Sequence, residues 1–126
     1  MEIEKQWKTK AGLNAVVVMM DRGYRCGYVG VPIESSIFGF DYDNKIVAGV
    51  DVHGGLTYSG LPDWSNDDNV WYFGYDCDHI YDLPINGDQM RSNCFGDEAE
   101  HRTLEYCVDK CEKLAEQLSV IGGHDE

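Results

Sequence analysis

The spacing of apolar and polar positions is typical of strands up to about residue 75 and typical of a helix near the end of the chain. In the first part, short apolar runs alternate with turns rich in glycine and aspartate, which is typical of β-strands. From about residue 98, apolar residues recur at steps of three and four, which predicts one amphipathic helix ended by Gly122 and Gly123. The apolar positions of that helix are Leu104, Cys107, Val108, Cys111, Leu114, Ala115 and Leu118.

Four strands are predicted before the helix, over residues 12–20, 24–31, 45–53 and 70–75. A turn at residues 21–23 joins the first two as a hairpin, and residues 60–69 form a loop. Gly27 and Gly30 interrupt the second strand and predict a bulge or a close backbone approach. These elements predict an α+β fold, in which a small, mostly antiparallel sheet packs against one C-terminal helix.

The length and composition indicate a single domain over residues 1–126, because 43% hydrophobic residues is close to the usual globular share. No stretch approaches 18 consecutive apolar residues, and the first residues lack the basic and apolar regions of a signal peptide. We therefore expect a cytoplasmic protein that does not contact membranes.

The net charge of −13 is unevenly distributed. Residues 26–90 carry eleven acidic side chains against the single base Lys45. A segment this acidic repels phosphate backbones, so no direct nucleic-acid binding is expected. It favours a divalent cation or a basic protein partner instead, and a solvated, soluble surface is the simpler alternative.

The unusual residues lie between Asp51 and Asp82. Asp51 and His53 are two apart, so in a strand they share a face, where the carboxylate could orient the imidazole. Gly54 and Gly55 follow directly and would let a ligand approach the backbone. The alternative is that His53 is an ordinary, partly exposed histidine.

Asp76, His79 and Asp82 form a D-x-x-H-x-x-D pattern whose spacing of three gathers the side chains if the segment turns. Together with His53 they are candidate ligands for Zn²⁺, Mn²⁺ or Mg²⁺. A solvated acidic turn is the alternative, as is acid–base chemistry with His53, His79 and Asp51 as catalytic candidates.

Five cysteines without an export signal are expected to be reduced. Cys77 is a candidate nucleophile with a neighbouring histidine as base, although the surrounding negative charge would raise its pKa. Cys107 and Cys111 lie on the apolar side of the helix and are predicted core residues. A zinc site that joins them to Cys26 or Cys94 stays open, but no C-x-x-C pair supports it.

Aromatic residues surround the polar cluster in sequence. In the last strand, alternation puts Trp71, Phe73 and Tyr75 on one face and Tyr72 on the other. One set is expected in the core, and the other could line a pocket in which Trp71 stacks on a ligand such as a nucleobase. The alternative is that all of these rings build the core and its rim.

The segments WKTKAGL, GYRCGYVGV, HGGLTY and WYFGYDCDHIYD resemble a family of small phage and prophage proteins, over nearly the whole chain. In that family a tryptophan stands at the position of Tyr72 and an alanine at that of Asp78. The resemblance implies a phage origin and a site formed by His53, Asp76, His79 and Asp82. It supplies no reaction.

Three hypotheses on function follow. The first is a phage accessory protein that captures a small ligand, such as a nucleotide signal, in a pocket of His53, Gly54, Gly55, Trp71, Asp76 and His79. The second is a metal-dependent hydrolase that uses His53, Asp76, His79 and Asp82. The third is an acidic inhibitor that occupies a basic, nucleic-acid-binding surface of a host defence protein.

Overall fold

The computed structural model describes residues 1–79, 82–84 and 100–123. Within these ranges a five-stranded antiparallel sheet has the order β1-β2-β3-β5-β4, and two short strands, β6 and β7, pair in parallel. The elements are β1 (Glu2–Lys8), β2 (Asn14–Met19), β3 (Arg25–Pro32), β4 (Tyr58–Gly60), β5 (Val70–Asp76), β6 (Asp82–Leu83), β7 (Glu100–His101) and α1 (Leu104–Ile121).

The core lies between one face of the sheet and α1. Strand alternation sends Val17, Val29 and Phe73 towards the helix, and the apolar stripe of α1 meets them there. The predicted faces of β5 are confirmed, because Phe73 and Tyr75 belong to this core whereas Tyr72 packs on the opposite face. The α+β fold with one helix covering an antiparallel sheet is therefore confirmed.

The helix α1 begins later than predicted. The Thr103 hydroxyl caps it by accepting a hydrogen bond from the Tyr106 N–H, and the Gly122 N–H closes its other end on the Leu118 carbonyl. Glu100 pairs in β7 instead of belonging to the helix, and the predicted start near residue 98 lies outside the described residues. No helix in the described part is both long and apolar enough to cross a membrane.

The predicted strand over residues 45–53 is wrong. This segment forms consecutive turns, in which the Asn44 carbonyl accepts from the N–H groups of Val47 and Ala48 at 3.0 and 2.8 Å. Val47, Val50 and Val52 are buried in the core beside α1. The buried valines are three and two positions apart, so they do not keep the strict alternation of a strand, and β-branched composition alone does not separate turns from a strand.

The edge strand β1 was not predicted, because most of its residues are exposed and polar or charged, so its sequence does not alternate regularly between apolar and polar positions. Of the two predictions for the glycines of β3, a bulge or a close approach to the backbone, the close approach is confirmed. A Cβ at Gly27 would come within 2.5 Å of the Tyr75 ring on the paired strand β5, so only glycine leaves space for that ring.

Candidate functional site

Two histidine–carboxylate pairs lie side by side where β5 ends. The rings of His53 and His79 are 5.7 Å apart between centroids. His53 follows the buried Val52, and His79 lies two positions after the buried Cys77, so both positions are anchored by neighbouring core residues. Each histidine faces a different carboxylate, Asp82 for His53 and Asp76 for His79.

His53 has a partner at each ring nitrogen. Its Nε2 lies 2.9 Å from Asp82 Oδ2, and its Nδ1 lies 2.7 Å from the Tyr106 hydroxyl. An ionised carboxylate can only accept, so neutral His53 carries its proton on Nε2 and donates it to Asp82. Nδ1 then accepts the Tyr106 O–H, and both nitrogens are used.

Asp82 is the centre of this arrangement and is 1% exposed. Its Oδ1 accepts from Arg102 Nε at 2.7 Å, and its Oδ2 also accepts from the His79 backbone N–H at 3.0 Å. Burial would raise the pKa of Asp82, but the hydrogen bonds from His53, Arg102 and the His79 N–H outweigh it and lower the pKa to about 2. We call His53, Asp82, Arg102 and Tyr106 the His53 cluster.

His79 is held differently. Its Nε2 lies 3.3 Å from Asp76 Oδ1, is buried, and has no hydrogen bond of good geometry to any described residue. A Cβ at Gly54, whose φ is +69°, would come within 2.2 Å of this nitrogen. The side chain is nevertheless 37% exposed, so the solvent reaches the remainder of the ring. We call His79 and Asp76 the His79 pair.

Asp76 is fixed by its neighbours on both oxygens. Oδ2 accepts from the Thr57 hydroxyl at 3.1 Å, and Oδ1 accepts from the Asp78 N–H at 3.1 Å. The carboxylate is therefore positioned beside the ring independently of any hydrogen bond to His79.

Asp51 does not have the role predicted for it. Its carboxylate is exposed, and its backbone N–H and carbonyl bond the Gln117 side chain on α1 at 2.7 and 2.9 Å. The shared-face argument failed because residues 45–53 do not form a strand. Asp82, which lies 29 positions after His53, orients the His53 imidazole instead.

Trp71 lies away from both histidines. It precedes Tyr75 by four positions on β5, which corresponds to roughly 13 Å along an extended strand. Its indole N–H donates to the Phe40 carbonyl at 2.9 Å, and its ring packs near Phe38. The structure therefore does not bring Trp71 to the predicted pocket. Gly54 faces His79, whereas a Cβ at Gly55 would meet nothing within 4 Å.

Cys77 is a core residue. It is 3% exposed, and its Sγ lies 3.7 Å from the Sγ of Cys107 on α1. A hydrogen bond with Cys107, together with burial, raises the pKa of the Cys77 thiol. A thiol that is buried and hard to ionise is a poor nucleophile. Cys111 is buried as predicted, and Cys94 lies outside the described residues.

Among residues 1–79, 82–84 and 100–123, no three histidine, cysteine or acidic side chains are arranged to hold a metal ion. His53 and Asp82 could reach an ion only by giving up the contacts that they make with Tyr106 and Arg102. The proposed ligand set thus stays a prediction that needs rearrangement of this cluster.

Sequence reasoning missed Tyr106 and Arg102. Tyr106 lies outside the predicted apolar stripe of α1. Its only sequence signal is that a tyrosine hydroxyl that is partly buried usually has a hydrogen-bond partner, which here is His53. Arg102 precedes the Thr103 cap, but nothing local indicates that it bonds Asp82 twenty positions earlier.

Comparison of the chain with protein-family models, with curated proteins and with solved structures finds no match. The fold and the two histidine–carboxylate pairs define an α+β protein with a polar cluster between its sheet and helix.

Proposed function

We propose that this protein captures a small molecule at the exposed side of His79. The observation that carries the proposal is the contrast in hydrogen bonding at the two rings. His53 uses both nitrogens within the protein, whereas neither ring nitrogen of His79 makes a well-formed hydrogen bond to a described residue. His79 Nε2 is buried, but the side chain is 37% exposed, so a ligand would meet the ring on the side away from Nε2. A ligand that bonds this ring would use capacity that the fold leaves unused.

The His53 cluster supports this site by position. Asp82 accepts both from His53 and from the backbone N–H of His79, so it fixes the chain at the point from which the His79 ring projects. Gly54 supplies the surface against which the ring rests. We assign His53 a positioning role, because binding a ligand through either nitrogen would break a buried hydrogen bond.

The arginines bear on the class of ligand. Arg25 bonds Glu4 at 2.6 Å, Arg102 bonds Asp82, and Arg22 lies 3.3 Å from Asp78. A phosphate would have to compete with these carboxylates for a guanidinium. The proposed ligand therefore bonds His79 through neutral or cationic groups, such as those of a nucleobase or a ribose, more than through phosphate.

The resemblance to small phage and prophage proteins supplies a setting for this proposal. Capture of a small signal inside an infected bacterium would counter a host defence that depends on that signal. This setting rests on the resemblance alone, and the binding proposal stands without it.

The test is a titration of isotope-labelled protein with a deproteinised small-molecule extract of bacterial cells, in the presence of EDTA. We expect saturable shifts of the His79 imidazole resonances in the parent, no saturable shifts of backbone amide resonances in His79→Ala, and retained binding in Asp51→Asn as a surface control. Mass spectrometry of the retained fraction then identifies the ligand. Unshifted His79 resonances, or unchanged binding by His79→Ala, would contradict the proposal, and turnover that EDTA abolishes would favour the hydrolase.

A further inference from the structure

A second concave surface lies on the sheet face opposite α1. Three rings form its aromatic wall: Tyr28 meets Tyr58 at 5.5 Å and Trp64 at 5.3 Å, in edge-to-face geometry. The cleft has a volume of about 480 Å³. Its other wall residues are Met1, Val18, Met20, Leu61, Pro62 and Asp63. We call this surface the aromatic cleft.

The aromatic cleft combines an apolar surface with one carboxylate. Leu61 is 46% exposed, so part of the apolar wall meets solvent. Asp63 is exposed as well and makes no hydrogen bond or ion pair to the part of the chain that the structure describes. Burial of Tyr58, and then the charge of Asp63, raise the pKa of the Tyr58 hydroxyl, which places this carboxylate within electrostatic reach of the wall.

The charge around the cleft is strongly biased. Residues 46–90 contain eight aspartates and no lysine or arginine, and this segment supplies Tyr58, Trp64 and Asp63. None of the described wall residues is a lysine or an arginine. The N-terminal ammonium of Met1 is the nearby cation, and it pairs with Asp21.

We propose that the aromatic cleft docks an arginine side chain from a basic segment of a partner protein. The aliphatic stem of arginine fits the apolar wall of Met20 and Leu61. Its planar guanidinium stacks on aromatic faces such as Trp64 and pairs with a carboxylate such as Asp63. Arginine uses the apolar wall, the rings and the carboxylate together, and its planar guanidinium stacks on a ring where the compact ammonium of lysine cannot.

This inference is independent of ligand capture at His79. The aromatic cleft belongs to the packing layer of Val18 and Tyr72, whereas the His53 ring lies beside Tyr75 and Tyr106, and the His79 ring lies beside His53. The partner is defined by charge complementarity, because an acidic surface steers and orients a basic one.

The experiment uses two synthetic peptides with acetylated and amidated ends, Gly-Gly-Arg-Gly-Gly and the same peptide with citrulline in place of arginine. Citrulline keeps the length and the planar end group of arginine, but a carbonyl oxygen replaces one NH2 group, so it has no charge and fewer donors. The reporter is the indole N–H resonance of Trp64, since the indoles of Trp7 and Trp71 already donate to Glu112 and to the Phe40 carbonyl.

We expect the arginine peptide to shift the Trp64 resonance saturably, with roughly tenfold weaker binding of the citrulline peptide. Asp63→Asn should weaken arginine binding several-fold, whereas Asp51→Asn, a matched loss of charge elsewhere on the surface, should not. Equal binding of the two peptides, equal effects of the two substitutions, or no shift at all would overturn the proposal. Binding of tetramethylammonium as tight as that of the arginine peptide would also overturn it, because that cation has no stem.

Discussion

The His53 cluster and the His79 pair use the same two kinds of side chain with opposite results. His53 and Asp82 are 11% and 1% exposed and 2.9 Å apart, whereas His79 and Asp76 are 37% and 29% exposed and 3.3 Å apart. Asp82 also accepts a hydrogen bond from Arg102, while the ring of His79 packs against Gly54. The difference in burial and in the number of partners, not the residue types, separates the two.

This contrast has an energetic consequence. A buried carboxylate that has lost its water must be satisfied by the protein, so each of its partners becomes structurally necessary. A half-exposed pair keeps water as an alternative partner and contributes little to stability. The His53 cluster is therefore expected to hold the fold together, and the His79 pair is left available for a ligand.

The largest effect is expected from Asp82→Asn. The substitution removes the buried charge that pairs with both Arg102 and His53, and it leaves Arg102 with only the exposed Glu100, at 2.8 Å, as a counter-charge. We expect the free energy of unfolding to fall by about 3 kcal/mol or more. Asp76→Asn is the matched control, for which we expect a loss below about 1 kcal/mol because its surroundings are partly exposed. Urea unfolding followed by circular dichroism measures both. Equal losses would mean that burial does not distinguish the two pairs.

Acid should remove the contribution of Asp82 gradually. The folded-state pKa of Asp82 is about 2, below the value of 3.8 for an unperturbed aspartate. A lowered pKa stabilises the fold above the unfolded value, and this stability is lost as the pH falls through the folded value. We therefore expect a loss of about 2 kcal/mol between about pH 4 and pH 2.

Comparison of the parent with Asp82→Asn isolates this effect from the other carboxylates. The difference between their unfolding free energies should be constant above about pH 5 and should shrink as the pH falls towards 2. Two stability curves that stay parallel through this range would show that Asp82 is not the group responsible.

Much of the fold could be predicted from the sequence, because the deciding patterns are local. The apolar stripe of Leu104 to Leu118 defines α1, and alternation in β5 correctly separates Phe73 and Tyr75 from Tyr72. Residues 45–53 could not be assigned in this way. Their valines are buried by turns that begin at Asn44, and tertiary packing against α1 decides between turns and strand.

The composition of the polar cluster was less predictable than its location. Sequence spacing grouped Asp76, His79 and Asp82, and His53 was added to them as a candidate ligand. The structure brings these four residues together. Which carboxylate pairs with which histidine could not be predicted from the sequence. His53 is oriented by Asp82 and by Tyr106, which lies 53 positions away on α1. Contacts over such separations follow from the fold and not from any local pattern.

The smallest expected effect is the difference in stability between Gly54→Ala and Gly55→Ala, which tests whether the His79 pair responds separately from the His53 cluster. Gly54 and Gly55 both have a positive φ, of +69° and +82°, so alanine strains the backbone at either position by roughly 1–2 kcal/mol. Only the new Cβ of Gly54→Ala meets the imidazole, at 2.2 Å from His79 Nε2, whereas that of Gly55→Ala meets nothing within 4 Å.

The difference between the two variants therefore reports the contact with His79 after the common backbone strain has been subtracted. We expect Gly54→Ala to be less stable than Gly55→Ala by about 1 kcal/mol, the usual lower cost of overpacking a contact. Its His79 imidazole resonances should move while those of His53 stay in place, because the His53 partners Asp82 and Tyr106 are untouched. If both rings shifted together in Gly54→Ala, the two pairs would be one coupled unit, and a ligand at His79 would then also perturb the buried cluster that stabilises the fold.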